Sequence, residues 1–265
     1  MSNSNFRKSN RYFIIVSAVI LMITAGFNCS NSNNDSNNDA KNPDRVELAI
    51  EEKKAFLTKE LSNLNIDWQA VNIFIRGFKQ EKILEIWVKN KEQATFQKLL
   101  EYDFCKLSGE LGPKRKEGDF QVPEGFYKID RFNPQSSYYL SLGINYPNKS
   151  DKIRGDKNKP GSDIFIHGNC VTVGCIPITD DKIKELYILA KQANSNGQDT
   201  IHVNIYPARL THENIEYLKT KYQAQIDFWK ELKVIYDQFE KTKQVPDFLI
   251  TDRGEYESMQ IQKNN

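Results

Sequence analysis

"DIFIHGNCVTVGCIPITDDKI", residues 163 to 183, runs from an apolar stretch through one histidine and two cysteines into an acidic segment. Ile164-Phe165-Ile166, closed by a polar cluster, reads as a strand ending near His167. Beyond the cluster, Ile183, Leu186, Tyr187 and Ala190 share one helical face, with Thr179 or Asp180 as cap and Gly197 as stop. The stretch is therefore a strand-to-helix turn carrying His167, Cys170 and Cys175. What those three residues do on it is the question the rest of the chain must answer.

Outward from this turn the period is two. "VNIFIRGF" (71 to 78) and "KILEIWVKN" (82 to 90) flank a short polar connection and read as a hairpin. Further strands are expected through "FQKLLEYDFCKLS" up to Ser108, in "GFYKID" (125 to 130), in "YYLSLGINY" (138 to 146) and around Ile201, Val203 and Ile205. Two segments rich in Gly, Pro and charge, 109 to 124 and 147 to 162, read as long loops. An amphipathic helix is expected over 46 to 68, and Ile215, Leu218, Tyr222, Ile226, Trp229 and Leu232 give helices after 211. The expected fold is mostly β within the α+β class, with one helix after the cysteine motif and helical N- and C-terminal extensions. Its core domain spans 69–210 and its C-terminal extension 211–265.

The first forty residues are of another kind. Arg7, Lys8 and Arg11 precede the apolar run Tyr12 to Phe27, which is short of the roughly 20 residues a membrane-crossing helix needs. Residues 1–28 read as an export signal. Ala25-Gly-Phe-Asn-Cys29 resembles a bacterial lipobox, so Cys29 is the expected lipidation site and an N-terminal lipid anchor to a membrane is implied. Residues 29–45, including "SNSNNDSNNDAKN", carry too little apolar surface to fold and are expected to form a flexible tether. An ordinary secreted protein with a disordered start is the alternative.

Charge narrows the partners. With 37 basic against 35 acidic residues the formal net charge is +2, and no basic stripe or nucleic-acid motif is present, so a nucleic-acid partner is not indicated.

Four chemistries fit a histidine and two cysteines. His167, Cys170 and Cys175, with His202 or His212, could ligate zinc; but the cysteines stand five apart and no second ligand pair follows, so no metal is expected. A redox pair would need the two-residue spacing of thioredoxin-like sites. A structural bridge from Cys105 to Cys170 suits an oxidising compartment and would leave Cys175 alone. A nucleophile needs a thiol on a tight turn, a base within about 3 Å and N–H groups facing a developing oxyanion. Gly174 permits the turn before Cys175, and His167 at a strand end can return over it.

The stretch 166 to 183, with "SGELGPKRKEGDFQVPEGFYKI" (108 to 129) and "INYPNKSD" (144 to 151), resembles the L,D-transpeptidase catalytic (YkuD-type) family, in particular its YafK-like branch. The order Pro-x-Gly-x-Phe/Tyr, His-Gly, then Ser/Thr-x-Gly-Cys carries the resemblance. It implies a YkuD-type, β-sandwich-like catalytic domain and a cysteine acyl transferase of the bacterial envelope acting on peptidoglycan stem peptides, without a cofactor. Position by position it implies Cys175 as nucleophile, His167 as general base, Gly174 on the oxyanion turn, and Gly168 and Thr172 beside the substrate. Pro177 stands where most members carry an arginine.

Lys114, Arg115, Lys116 and Arg154 on the two loops are candidates for binding substrate carboxylates, or are solvated charges. A thioester at Cys175 could be resolved by an amine, giving a cross-link, or by water. The YafK-like branch implies the hydrolytic outcome, with release of a peptidoglycan-linked lipoprotein. A third possibility is a peptidoglycan-binding lipoprotein without catalysis.

Overall fold

The computed structural model of the chain describes residues 44–259. The expected export signal (1–28), Cys29 and most of the expected tether (29–45) lie outside the described residues.

Alternating apolar residues build one eight-stranded sheet in the order β3-β2-β1-β8-β4-β5-β6-β7. Its strands are β1 (Val71–Phe78), β2 (Ile83–Asn90), β3 (Gln97–Asp103), β4 (Gly125–Ser136), β5 (Tyr139–Ile144), β6 (Phe165–His167), β7 (Ile176–Pro177) and β8 (His202–Tyr206). β1 pairs antiparallel with β2 and parallel with β8. The long strand β4 is the pivot: Gly125–Lys128 pair with β8, and from Ile129 onward its partner is β5, with register shifts between Ile129 and Arg131. Such irregularities bend a strand and deepen its twist, so the sheet folds over on itself. The α+β class is as expected, and the sandwich-like form comes from one continuous curled sheet.

Helices cover both faces. α1 (Arg45–Asn63), capped by the Asp44 carboxylate accepting from Val46 N–H at 2.9 Å, and α3 (Thr179–Ser195) bury Leu57, Leu61, Ile183, Leu186 and Leu189. These side chains meet Ile73, Ile75, Val203 and Ile205 of the central strands in the main core. Each such burial contributes about 1.5–3 kcal/mol.

On the other face, Phe78, Phe126 and Tyr206 pack against Trp229, Leu232, Ile235 and Tyr236. Those four belong to α5 (Ile226–Thr242), which follows α4 (His212–Lys221) through a short 3-10 turn. The segment after 211 is thus docked on the sheet, and residues 44–259 fall within one compact unit. Buried charge secures it: Arg76 bridges Glu85 of β2 and Glu240 of α5, both at 2.7 Å, with its guanidinium 4.5 Å from the Phe239 ring centre.

Five local expectations change. The first helix ends at Asn63, short of 68, where the Leu64 N–H turns back to Leu61 O. The segment 147–162 is not all loop, because Asn148 and Asp151 form a reciprocal capping box that starts α2 (Lys149–Arg154). Strand β3 stops at Asp103, short of Ser108, since the Cys105 N–H leaves the ladder and donates to Pro177 O. Neither Thr179 nor Asp180 caps α3: Thr179 has a left-handed φ of 74°, and the Asp180 carboxylate accepts from Asn169 N–H at 2.7 Å. Finally, the C-terminal extension is not purely helical, ending in a hairpin of β9 (Phe248–Ile250) and β10 (Tyr256–Ser258).

Candidate active site

Strand pairing places the Cys175 and His167 side chains. β6 runs parallel to β7 with His167 opposite Pro177, so Cys175 enters beside the start of β6. There its Sγ accepts from Phe165 N–H at 3.4 Å and lies 3.7 Å from Asp163 O. Phe165 and His167, two residues apart on one strand, point to the same side, whereas Ile166 enters the core. The Cys175 thiol and the His167 imidazole therefore line one pocket of about 240 Å³, together with Ser136, Tyr138, Ser141 and Asp163.

The imidazole is held on two sides. Its Nδ1 lies 2.5 Å from Gly168 O, a contact that only an Nδ1–H donor can make favourably, so the proton-free nitrogen is Nε2. The Tyr138 ring stacks on it at 4.6 Å between centres. Gly168 is required here by space: a Cβ would sit 2.4 Å from the Asp180 carboxylate and 2.7 Å from Tyr138 O.

The thiol is held by its turn. Thr172 Oγ1 donates to Cys175 O at 2.7 Å and accepts from Gly174 N–H at 3.2 Å, closing the turn from inside. Gly174 has a φ of +126°, which side chains disfavour, and a Cβ there would meet Gln121 O at 3.1 Å. A disulfide joins Cys105 to Cys170 and pins the start of the turn to the segment after β3. Among the described residues Cys175 is the free cysteine.

Burial sets the resting charge. It pushes the Cys175 thiol above its ordinary value, against the Phe165 N–H, and Asp163 adds to the rise while Lys114 opposes it. Burial also holds His167 below the usual imidazole value, against the Gly168 carbonyl. Both shifts favour the neutral forms, so a thiol and a neutral imidazole line the pocket at rest, with Sγ bonded to the backbone of β6 and its approach and not to His167. That suits a base that removes the thiol proton as the sulfur attacks.

The loop cations separate. Lys114 lines a second pocket of about 390 Å³ that also reaches Cys175, with Phe120 and Val173 on its wall. It is almost wholly buried and pairs with Asp119 at 2.6 Å. Arg115 lies 3.6 Å from Asp151 and Arg154 2.7 Å from Glu231, and both guanidiniums cover the Phe228 ring. These two arginines line neither pocket at Cys175 and tie the loops to the C-terminal segment. Lys116 gives its N–H to Asp119, 3.0 Å away, as part of the same loop. No cluster of three or more potential metal ligands occurs among the described residues.

Sequence reasoning missed Tyr138, Asp163 and Asp119. Tyr138 carries no motif and reaches His167 only because β5 pairs with β6. Asp119 could have been suspected from its place in "KRKEGD", where a carboxylate follows three cations at the distance of a loop closure.

This fold and turn define a class. Residues 77–205 match the YkuD family, the L,D-transpeptidase catalytic domain, and the chain belongs to that family. Among curated proteins it is 41% identical over 176 residues to YafK of Escherichia coli (strain K12), itself named only provisionally as an L,D-transpeptidase; the match covers 66% of this chain and 69% of YafK. Two solved structures are also similar. The helical cell shape determining protein Pgp2 of Campylobacter jejuni is 18% identical, covering 74% of this chain and 80% of that one, with a TM-score of 0.41. Bd1075 of Bdellovibrio bacteriovorus is 23% identical, covering 64% and 60%, with a TM-score of 0.35.

Proposed function

We propose that this protein transfers acyl groups on peptidoglycan stem peptides through a thioester at Cys175. The carrying observation is that the Cys175 thiol and the His167 imidazole line one pocket, with Nδ1 of the imidazole anchored on Gly168 O.

In this reading Nε2 of His167 takes the thiol proton while Sγ attacks the carbonyl at the L-centre of a diamino-acid residue. The tetrahedral oxyanion collapses, the C–N bond breaks, and the proton passes from His167 to the leaving amine. Gly174 and Cys175 form the oxyanion turn, whose shape Thr172 fixes. An incoming amine then gives His167 its proton, attacks the thioester and yields a new amide; water in its place yields a carboxylate. Either route restores the thiol. The hydrolytic form would act as an amidase releasing a peptide or a peptidoglycan-linked lipoprotein.

The setting proposed is the periplasmic side of a bacterial envelope, with Cys29 as the lipid attachment point. Gly168 and Lys114 are proposed to border the bound stem, Gly168 through its place beside His167 and Lys114 through the second pocket. Arg115 and Arg154 are better assigned to holding the loops, because they line neither pocket at Cys175 and each lies beside a carboxylate and the Phe228 ring.

The test is mass spectrometry of the full chain incubated with tri- and tetrapeptide stems. A covalent adduct on Cys175, absent in Cys175→Ala and slowed in His167→Ala, is expected. No adduct with any stem would defeat the reading. Adding a free amine then separates transfer from hydrolysis by the mass of the product.

A further inference from the structure

The largest of the pockets described lies away from Cys175 and shares no residue with the two pockets that reach it. It measures about 580 Å³ and is bounded by the first half of β4, the residues around α2, His202 of β8, and Phe248 and Ile250 of the terminal hairpin. Phe126, Tyr146, Phe248 and Ile250 supply its apolar surface, and Lys128, Lys149 and Lys152 stand along it.

Its polar groups are incompletely paired. Lys149 is engaged, donating to Ile250 O at 2.9 Å and lying 3.6 Å from Asp252. Lys128 and Lys152 have no carboxylate at ion-pair distance among the described residues, and both are exposed. Asp130, the one acidic residue of the lining, is held by Arg131 Nε at 3.1 Å. His202 is half-buried in the wall, facing the charges of Asp247 and Lys128, and its imidazole has no hydrogen-bond partner among the described residues. Two ammonium groups without a carboxylate partner, with a half-buried imidazole between apolar walls, suit carboxylates spaced along a chain with apolar and amide parts between them.

We propose that this pocket is a second binding site for an acidic peptide, and that its occupant is a stem peptide adjacent to the one processed at Cys175. The identity of the occupant rests on the function proposed above. Stem peptides carry free carboxylates and repeat along one polymer, so two sites on one protein turn the second contact into an intramolecular one. The polymer then stays bound while a single stem reacts.

The experiment sediments full-length Cys175→Ala protein with insoluble peptidoglycan, and in parallel with glycan strands from which the stems have been removed. The expected result is binding to the stem-bearing polymer that weakens as salt is raised, and weak binding to the stripped glycan. Lys128→Glu/Lys152→Glu should weaken sedimentation on the order of tenfold, and the neutral pair Lys128→Gln/Lys152→Gln by less. With Cys175 restored, the same pair should leave turnover of a soluble single stem unchanged. Equal sedimentation by the charge-reversed protein, or equal binding to stripped glycan, overturns the site. Failure of the proposed reaction shows separately, as absence of an adduct at Cys175 from the soluble stem while sedimentation persists.

Discussion

The ammonium of Lys79 lies 3.0 Å from a carboxylate oxygen of Glu124, and both side chains are wholly buried. The pair is completed on every side: Lys79 Nζ donates to Gly112 O at 2.7 Å and Val122 O at 2.9 Å, and Glu124 accepts from Gly112 N–H and from Trp229 Nε1, each at 2.7 Å. Strand β1, the loop before β4 and helix α5 therefore meet at one ion pair. Through Gln121, whose carbonyl borders Gly174, that loop is part of the wall behind the Cys175 turn. Desolvation lowers the Lys79 pKa despite the Glu124 charge, so the pair stands only while both members are present.

Removing one member should cost more than removing both. Lys79→Met or Glu124→Leu alone is expected to lose about 3–5 kcal/mol of stability, and Lys79→Met/Glu124→Leu less than either. Trp229→Phe, which strips one donor from Glu124, should lose about 1–3 kcal/mol. Urea denaturation of the four proteins provides the comparison, and additive losses would contradict the account.

The two pKa shifts at the site set a pH profile. Because the native His167 resists protonation, its imidazole stays neutral until the pH drops below its ordinary value of about 6.5, and the acid limb of kcat/KM for the proposed reaction should lie below that point. Because the thiol is raised, iodoacetamide labelling of Cys175 should be slow at pH 7 and climb steadily past the ordinary thiol range. A labelling midpoint below pH 7 would mean a preformed thiolate–imidazolium pair instead. Stability carries the same sign for His167: the unfolded imidazole takes up a proton that the native one refuses, so stability falls as pH drops through about 6.5.

Reduction of the Cys105–Cys170 bridge should destabilise the protein without touching the Cys175 thiol directly. The bridge closes 65 residues, for which loop-closure entropy alone gives about 4 kcal/mol. Cys105→Ser/Cys170→Ser is expected to unfold at lower urea by a comparable amount. Mass spectrometry after alkylation of the unreduced native protein should place a label on Cys175 and none on Cys105 or Cys170.

Thr172 and Gly168 test whether backbone shape controls reactivity. Thr172→Val leaves the Cys175 carbonyl without its donor and should cost about 1 kcal/mol in stability. Its larger effect is expected on kcat, on the order of 10–100-fold, since small displacements of a reacting group are costly; Thr172→Ser should restore it. Gly168→Ala forces a methyl between the Asp180 carboxylate and Tyr138 O, and should lower kcat at least as far by shifting the carbonyl that holds His167.

Much of the sheet was legible because burial on a pleated surface leaves a period of two. "VNIFIRGF" is β1 residue for residue, and Ile201, Val203 and Ile205 enter the main core while Tyr206 serves the second. Short polar devices were not legible. The capping box of α2 joins Asn148, just before the helix, to Asp151 in a six-residue helix without an apolar face, so no periodicity announces it. Asp180 has a cap's identity, yet it falls inside the first turn of α3 behind a left-handed Thr179, and its carboxylate accepts from Asn169 N–H.

For the candidate site, sequence alone set out the thiol, the imidazole and the glycines on one strand-to-helix turn, since those residues are near neighbours whose geometry the local backbone governs. It left open the partner of Cys105, the surroundings of His167 and the use of the loop cations. Tertiary structure decided these, because each depends on segments brought together by pairing and packing. Pairing of β5 with β6 puts Tyr138 on His167; the chain leaving β3 brings Cys105 to Cys170; and docking of α5 gives Arg154 its partner in Glu231. A residue's chemistry is carried by its type and its near neighbours, but its charge state and its freedom to meet a substrate are set by whatever the fold buries against it.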